Sequence, residues 1–298
     1  MSLRGWIKKF PLRHYVAGLT LELVASILRT GPVPQHVAFI MDGNRRFAKQ
    51  HNLELGEGHV AGFESLSNIL QVCYGAGVHT CTVYAFSIEN FSRPQHEIDS
   101  LFNLIRTKLV VIADEDQFPA QFKLRVNILG DRSLIPDDIM EIILRLESIT
   151  AENTKGVLNI CFPYTSRDDI TQAMIRVAKR VESRELSVDE IDQKVLESEM
   201  YVGGHNPRLG MIVRTSGVTR FSDFMVWQSC EEAQVEFTET LWPAFNKWEM
   251  VKLLLKWGFY ETKRLKEEEI MQTKRHVLEK RPPVISVTEV DRAAAAAV

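Results

Sequence analysis

The sequence contains few cysteines, and their spacing argues against a metal site or a redox pair. Cys73, Cys81, Cys161 and Cys230 form no Cys-x-x-Cys pair and no Cys/His cluster with zinc spacing. Thiols that serve neither purpose are usually small buried residues in a reducing compartment. We therefore expect all four to be reduced core residues of a cytosolic protein.

The sequence also lacks an excess of positive charge. Its 36 Lys and Arg residues face 39 Asp and Glu residues, for a net charge of −3. Proteins that bind nucleic acid through their general surface are usually basic, so we expect no nucleic-acid partner and only local anion sites. The motif Gly-x-x-x-x-Gly-Lys-Ser/Thr is absent as well, which excludes a P-loop kinase.

The apolar run near the N-terminus is too short for a membrane span. It covers Val16–Leu28 and contains Glu22. No small-residue cleavage site follows it, as a signal peptide would require. Trp6 and Phe10 stand beside lysines, which indicates an amphipathic helix. This helix would lie on an anionic membrane surface or pack against the core, and the sequence leaves both alternatives open.

Short β-rich apolar runs alternate with helical patterns, which is typical of a parallel sheet with crossover helices. A chain of 298 residues with 45% apolar content can bury one such core. We expect an α/β fold: a single domain with a central, mostly parallel six-stranded sheet flanked by helices. Its predicted strands are His36–Met41, Thr80–Phe86, Leu124–Leu129, Val157–Phe162, Met211–Val213 and Val235–Thr238.

Two further segments decide the expected organisation. Ile98–Ala113 is apolar nearly all round, so it is either buried in the core or lines an apolar cavity. After Phe259 the sequence becomes highly charged, which predicts an exposed helix or helical hairpin. We expect a helical N-terminal segment over 1–33, the main domain over 34–259, and a charged helical extension with a low-complexity tail over 260–298.

The first predicted strand ends in Met41-Asp42-Gly43-Asn44-Arg45-Arg46, a sequence suited to a metal ion and a diphosphate. An Asp at the carboxyl end of a parallel strand faces the crevice where open α/β sheets bind ligands. Gly43 allows close backbone approach, helix N-terminal N–H groups attract anions, and two guanidiniums can bind phosphate oxygens in bidentate geometry. The alternative is a hairpin turn at Asp42-Gly43, although no alternating strand follows it.

The ends of two more predicted strands carry polar side chains of the same kind. The loop after the second strand has a hydroxyl, an amide and a cation, and the loop after the fifth has two cations and several hydroxyls around a glycine. The carboxyl ends of parallel strands meet at one edge of a sheet, so we expect two anion sites for two phosphorylated substrates. The residues concerned are Ser87, Asn90 and Arg93, and Arg214, Arg220 and Ser222.

From Pro34 to Phe259 the chain resembles the cis-prenyltransferases, the family of the undecaprenyl and dehydrodolichyl diphosphate synthases. The Arg45-Arg46 pair and the block at 159–165 look like the eukaryotic dehydrodolichyl branch. Chance agreement is excluded by the number of motifs that stand in the family's order. The resemblance rests on the blocks at 36–46, 58–63, 84–90, 128–131, 158–160, 212–217 and 241–243.

This resemblance implies a cis-prenyltransferase fold with an apolar tunnel. It also implies Mg²⁺-dependent condensation of several isopentenyl diphosphate units onto an allylic primer such as farnesyl diphosphate, for dolichol synthesis and protein glycosylation. The metal ligand would be Asp42, and the catalytic residues Asp42, Asn44, Ser87 and Asn90. The implied substrate-binding residues are Gly43, Arg45, Arg46, His59 and Arg93, with Arg214, Arg220 and Ser222 on isopentenyl diphosphate.

Three departures from the family pattern imply a partner. Leu55 stands where many relatives have Arg, and Gln234 where homodimeric bacterial enzymes have a metal-associated Glu. After Trp257 there is no Arg-x-Gly, the motif with which a neighbouring subunit completes the isopentenyl site. The resemblance therefore implies a Nogo-B receptor-like subunit that supplies this motif. It also implies a peripheral location on the cytosolic face of the endoplasmic reticulum membrane or on lipid droplets.

Two other functions are weaker alternatives. A non-catalytic subunit of the same fold would only bind prenyl diphosphate or a partner, but such subunits typically lose the Asp and the arginines that this sequence keeps at Asp42, Arg45 and Arg46. A metal-dependent phosphohydrolase would use Asp42, but no second carboxylate stands two residues further on, where a proton donor would be useful.

Overall fold

Six short apolar strands form one parallel sheet in the computed structural model, which describes residues 23–113, 123–204 and 206–279. The strand order is β3-β4-β2-β1-β5-β6, and every neighbouring pair is parallel. The predicted six-stranded sheet is confirmed. The strands are β1 (His36–Ile40), β2 (Thr80–Tyr84), β3 (Leu124–Leu129), β4 (Gly156–Cys161), β5 (Met211–Arg214) and β6 (Gln234–Phe237).

Helices provide the crossovers that parallel neighbours require. Single 3₁₀ turns lie at Ile88–Ser92, Arg132–Leu134, Val188–Glu190 and Trp242–Ala244. None of the helices in the described ranges is both long and apolar enough to cross a membrane. They are α1 (Asn44–Gln50), α2 (Leu55–Ala76), α3 (Gln95–Ile112), α4 (Asp137–Thr150), α5 (Ser166–Glu182), α6 (Gln193–Ser198), α7 (Val226–Ser229) and α8 (Lys247–Glu279).

Both faces of the sheet are covered, as the side chains of β1 show. Val37 and Phe39 pack into the larger apolar cluster on one face, and Ala38 and Ile40 belong to a second cluster on the other. All five residues of β1 are buried. A parallel strand buried on both faces has a continuous apolar sequence, which explains why these strands could be recognised from composition.

Two expectations about burial have different outcomes. The α3 helix, predicted to be buried or to line an apolar cavity, does both, although Val110 is 53% exposed and Val111 37% exposed. Its other faces do pack in the core, through Phe102 among others, or line a cavity. Of the four cysteines, Cys230 is exposed and not a core residue, because it follows the single turn of α7 at the surface.

The chain divides into two units after Gly258. In the second unit α8 continues to Glu279, and Arg264 pairs with Glu261 and Glu268 one turn away, as on a solvated helix. At the other end, residues 1–22 of the predicted N-terminal helix lie outside the described residues. Residues 23–28 are helical, and Leu28 joins the core. The domain boundaries expected from the sequence stay predictions.

Candidate active site

A cavity of about 1490 Å³ opens where the carboxyl ends of β1, β2 and β5 meet. Every site residue predicted from the sequence lines it, because each follows a strand that ends at this edge or lies on a helix packed beside it. The roles of these residues stay predictions. The set is Asp42, Gly43, Asn44, Arg45, Arg46, His59, Ser87, Asn90, Arg93, Arg214, Arg220 and Ser222.

Asp42 is the carboxylate at the end of β1. Its Oδ2 accepts a hydrogen bond from Arg214 Nη2 at 2.9 Å, and its Oδ1 lies 3.9 Å from Arg46 Nη2. The backbone is fixed as well, since Asp42 O accepts from Thr215 Oγ1 at 2.8 Å and from the Trp242 N–H at 3.0 Å. The carboxylate is therefore held by its backbone and by two cations, while 37% of its side chain stays exposed.

Arg214 is the buried cation of the site. Its Nη1 donates to Ser222 Oγ at 2.8 Å and to the carbonyl of Arg220, which draws the loop after β5 around the guanidinium. Its Nε is buried and has no partner among the described residues. Burial lowers the pKa of Arg214, and Asp42 opposes that shift. An anion that reached Nε would supply the missing acceptor.

Gly43 and Asn44 turn the chain from β1 into α1. Gly43 has φ +111°, a left-handed conformation that glycine adopts without strain. The alternative of a hairpin turn at Asp42-Gly43 is wrong, because a helix follows directly. A Cβ on Gly62 would lie 2.3 Å from Asn44 Oδ1, so the glycine lets α2 approach the amide. Asn44 Oδ1 is buried and lacks a partner in the described structure.

Several cationic side chains lie close together on the side of the cavity near α2 and α3. Arg45 Nη1 lies 3.5 Å from Glu97 Oε2, where the Arg45 side chain is exposed and the Glu97 side chain is mostly covered. Burial, followed by the charges of Arg93 and Arg45, lowers the pKa of His59 to about 4. Burial and Arg45 likewise lower the pKa of Arg93. Such mutual destabilisation is what a site for an anion requires, since a bound diphosphate relieves it.

Ser87 and Asn90 hold the loop after β2 in one shape. The Ser87 N–H donates to Asn90 Oδ1 at 3.1 Å, and Ser87 Oγ accepts from the Glu89 N–H at 3.2 Å. This reciprocal pair caps the turn Ile88–Ser92. The two side chains have a structural function in the loop in addition to lining the cavity.

The cavity residues that were not predicted from the sequence include three charged side chains linked by ion pairs: Glu89, Arg167 and Asp223. Arg167 lies in the first turn of α5 and pairs with both carboxylates. The end of β4 was the signal that could have found it, since β4 is parallel to its neighbours and ends at the same edge.

The wall formed by α2, α3 and the strand ends is mostly apolar, in agreement with the predicted tunnel. Lys108 also lies on it, with its Nζ 4.6 Å from the centre of the Phe63 ring. An alkyl chain could pack against such a wall. The apolar residues include Phe63, Leu66, Phe86, Leu101, Leu104, Ile105, Leu109, Ile112, Ile160, Phe162 and Trp242.

The site fits a magnesium ion that is bound together with a diphosphate. Within the described ranges no group of three or more His, Cys, Asp or Glu residues could hold a metal ion alone. Mg²⁺ commonly takes one or two carboxylates and completes its shell with water and substrate phosphates. Asp42 provides one such carboxylate at a partly exposed position in the cavity.

Two of the departures from the family pattern, Leu55 and Gln234, lie at different places in the structure. Leu55 lines the cavity, so the absent Arg is a local loss of a cation. Gln234 pairs with Met211 at the start of β5, whereas Arg214 pairs with Phe237 at its end. Gln234 therefore lies at the start of its strand, at the opposite end of the sheet from Asp42, and its relation to a metal ion stays a prediction.

A carboxylate and several cations lie at the mouth of an apolar cavity, an arrangement suited to a ligand with an anionic head and an apolar chain. Residues 40–265 match the model of the undecaprenyl diphosphate synthase family. The dehydrodolichyl diphosphate synthase complex subunit of Schizosaccharomyces pombe is 36% identical over 256 residues, 86% of this chain and 97% of that protein. The human subunit of that name is 38% identical, over 84% of this chain and 73% of that protein.

A solved structure is similar too. Lavandulyl diphosphate synthase from Lavandula x intermedia, in complex with dimethylallyl diphosphate, has a TM-score of 0.70 and 26% identity. The match covers 76% of this chain and 95% of that one. The chain therefore belongs to the undecaprenyl diphosphate synthase family, the cis-prenyltransferases, and the predicted family and enzyme class are confirmed.

Proposed function

We propose that this chain is the catalytic subunit of a dehydrodolichyl diphosphate synthase, which condenses isopentenyl diphosphate units in cis onto farnesyl diphosphate. The observation that carries the proposal is the cavity itself, which joins cations around Asp42 to a long apolar wall. The relatives that bear this name in two yeasts and in human, 36%, 39% and 38% identical, support the choice of product. The product would serve dolichol synthesis and protein glycosylation.

In this mechanism the chain's residues hold two diphosphates side by side. Arg45, Arg46 and Arg93 bind the diphosphate of the primer, and Arg214 and Arg220 bind that of isopentenyl diphosphate. Bound Mg²⁺, held by Asp42, would supply a divalent charge that stabilises the leaving diphosphate.

The reaction breaks the allylic C–O bond of the primer and forms a C–C bond to the terminal alkene carbon of isopentenyl diphosphate. A proton then leaves the isopentenyl unit. Cations fixed around the departing diphosphate stabilise the charge that develops on it. Ser87 and Asn90, between the two sites, help to place the double bond and to remove this proton.

A second subunit completes the isopentenyl site in this proposal. Support comes from the relatives named as complex subunits. The partner would be Nogo-B receptor-like and would contribute a cation and backbone N–H groups through its Arg-x-Gly. Adding it to the purified chain should raise activity by orders of magnitude, and replacing its tail Arg should abolish the gain. Full activity of the chain alone would contradict the heteromer.

The proposed location is the cytosolic face of the endoplasmic reticulum membrane or lipid droplets. A hydrophobic product and the aromatic and basic residues near Trp6 support it. Fractionation of cells that express the chain with and without residues 1–22 tests this proposal. Equal recovery of both forms in the membrane fraction would contradict anchoring by that segment.

Product analysis separates the proposed function from its alternatives. Mass spectrometry of the lipid extract should show a ladder of prenyl diphosphates that differ by one isoprene unit. A phosphohydrolase would release phosphate without lengthening the primer, and a non-catalytic subunit would bind the primer without changing it.

A further inference from the structure

Arg167 connects two loops that come from different strands. Its Nε donates to Asp223 Oδ2 at 2.7 Å, in the loop after β5, and its Nη2 pairs with Glu89 Oε1, in the loop after β2. The Arg167 N–H also donates to Asp223 Oδ1 at 3.2 Å. Glu89 lies between Ser87 and Asn90 in sequence, and Asp223 directly follows Ser222. One side chain thus spans the loops that the proposed function assigns to proton removal and to isopentenyl binding.

A second link lies deeper between the same two loops. Tyr84 Oη lies 3.1 Å from the Tyr164 carbonyl oxygen and 3.3 Å from that of Ser222, so its single proton is shared between them. Ser87 and Tyr164 form a parallel bridge, and the Tyr84 ring stacks on Phe224 at 4.6 Å. The loops are therefore joined at a partly buried point by Tyr84 and at the surface by Arg167.

Because Arg167 is largely exposed, it should contribute little to the stability of the fold while still affecting the geometry of the site. Its side chain is 73% exposed, and ion pairs at such positions contribute little to folding. A displacement of reacting groups by about 1 Å, in contrast, can lower a rate by about 10²-fold. Two carboxylates already pair closely with this one guanidinium, so less of its charge is left for a diphosphate than at Arg46, which has one carboxylate at 3.9 Å.

We propose that Arg167 is a positioning residue that holds the Ser87–Asn90 loop against the Ser222–Asp223 loop and so fixes the spacing of the two substrates. The inference rests on the proposed two-substrate site. Only a planar fork reaches both carboxylates at once, so Lys at this position would bridge at most one of them.

The experiment measures kcat, both KM values and thermal unfolding for Arg167→Gln, Arg167→Lys and the double variant Glu89→Gln/Asp223→Asn, in the presence of the partner subunit. Asn keeps the left-handed conformation at 223, where φ is +58°. Arg208→Gln is the matched control, because Arg208 is 77% exposed and pairs with Glu231 outside the cavity. It should change none of these quantities.

Arg167→Gln and the double variant should each lower kcat by about 10- to 100-fold, with both KM values within about threefold of wild type. Their midpoints of thermal unfolding should stay within about 2 °C. Adding Arg167→Gln to the double variant should change kcat little further, since the bridge is already lost. Arg167→Lys should recover only part of the rate.

Three results would overturn the inference: an unchanged kcat in Arg167→Gln, full recovery by Lys, or a double variant that keeps kcat while one KM falls. The last result would mean that Arg167 binds a diphosphate directly. A wild-type complex that fails to lengthen a primer at all would instead overturn the proposed function, and the wild-type rate distinguishes the two failures.

Discussion

Arg214 Nη2 donates a hydrogen bond to Asp42 Oδ2 at 2.9 Å, across the carboxyl ends of β5 and β1. Arg214 is 3% exposed, so removal of either partner leaves a charge with reduced compensation. The proposed function assigns Asp42 to the metal and Arg214 to isopentenyl diphosphate. Because of this hydrogen bond, a substitution at one of the two residues should also change the position and the charge environment of the other.

Asp42→Asn should lower kcat by about 10² to 10³, the typical loss for a charge-stabilising contact in the transition state. Asn keeps an acceptor for Arg214 but removes the negative charge that a metal ion needs. Rates over a Mg²⁺ titration measure the effect, with circular dichroism as the check on folding. A wild-type kcat at saturating Mg²⁺ would remove Asp42 from the metal site.

Arg220→Ala and Arg46→Ala should separate the two substrate sites. We expect the first to raise mainly the KM for isopentenyl diphosphate and the second mainly the KM for the primer, because the residues follow different strands. Arg214→Ala should lower kcat as well, through Asp42. Initial rates with one substrate varied at a time provide the measurement. Equal increases in the same KM for Arg220→Ala and Arg46→Ala would show that the map of two sites is wrong.

Gly62→Ala should destabilise the protein and reduce activity, because its Cβ would lie 2.3 Å from Asn44 Oδ1 and 3.1 Å from the Trp242 ring. Overpacking of this kind costs about 1–3 kcal/mol. Gly56, in the same helix, has no atom within 4 Å of an added Cβ. Gly56→Ala should therefore not destabilise the protein, because the added Cβ meets no other atom. Denaturant unfolding measures the free energy of unfolding of the two variants. Equal changes in that free energy would contradict the packing argument.

The sheet and the charged end of the cavity could be predicted because their signals are local. A strand buried on both faces is almost entirely apolar, and Asp42 stands two residues after β1 while Arg214 is the last residue of β5. The Arg167 bridge could not be predicted, because it brings together Glu89 and Asp223, which are far apart in the sequence and exposed or near the surface.

Features away from the strand ends also could not be predicted from the sequence. The position of Gln234 depends on the register between β5 and β6, which composition does not specify. Val110 is apolar yet exposed, since a helical pattern that is apolar all round does not indicate which face the core covers.

His36 should make stability depend on pH. Its Nδ1–H donates to the Pro207 carbonyl at 3.0 Å, so its Nε2 accepts from Thr82 Oγ1 at 2.7 Å. Burial lowers the pKa of His36 to about 4. Between that value and about 6.5 the unfolded chain binds more protons, so the stability contributed by neutral His36 is complete above about pH 6.5 and is lost as the pH falls.

The loss should amount to about 1.4 kcal/mol per pH unit at most. The measurement is the free energy of unfolding of wild type and His36→Ala between pH 7.5 and 4.5. The difference between the two proteins should shrink on acidification. A constant difference over that range would show that His36 is not held neutral by the fold.

The most direct test of the central claim is the transfer of radiolabel from isopentenyl diphosphate into lipid by this chain together with its partner subunit. We predict that label enters a lengthening prenyl diphosphate only when farnesyl diphosphate and Mg²⁺ are both present. Asp42→Asn should nearly abolish the transfer. Label that stays in isopentenyl diphosphate under the complete conditions would contradict it, as would transfer that does not depend on the primer.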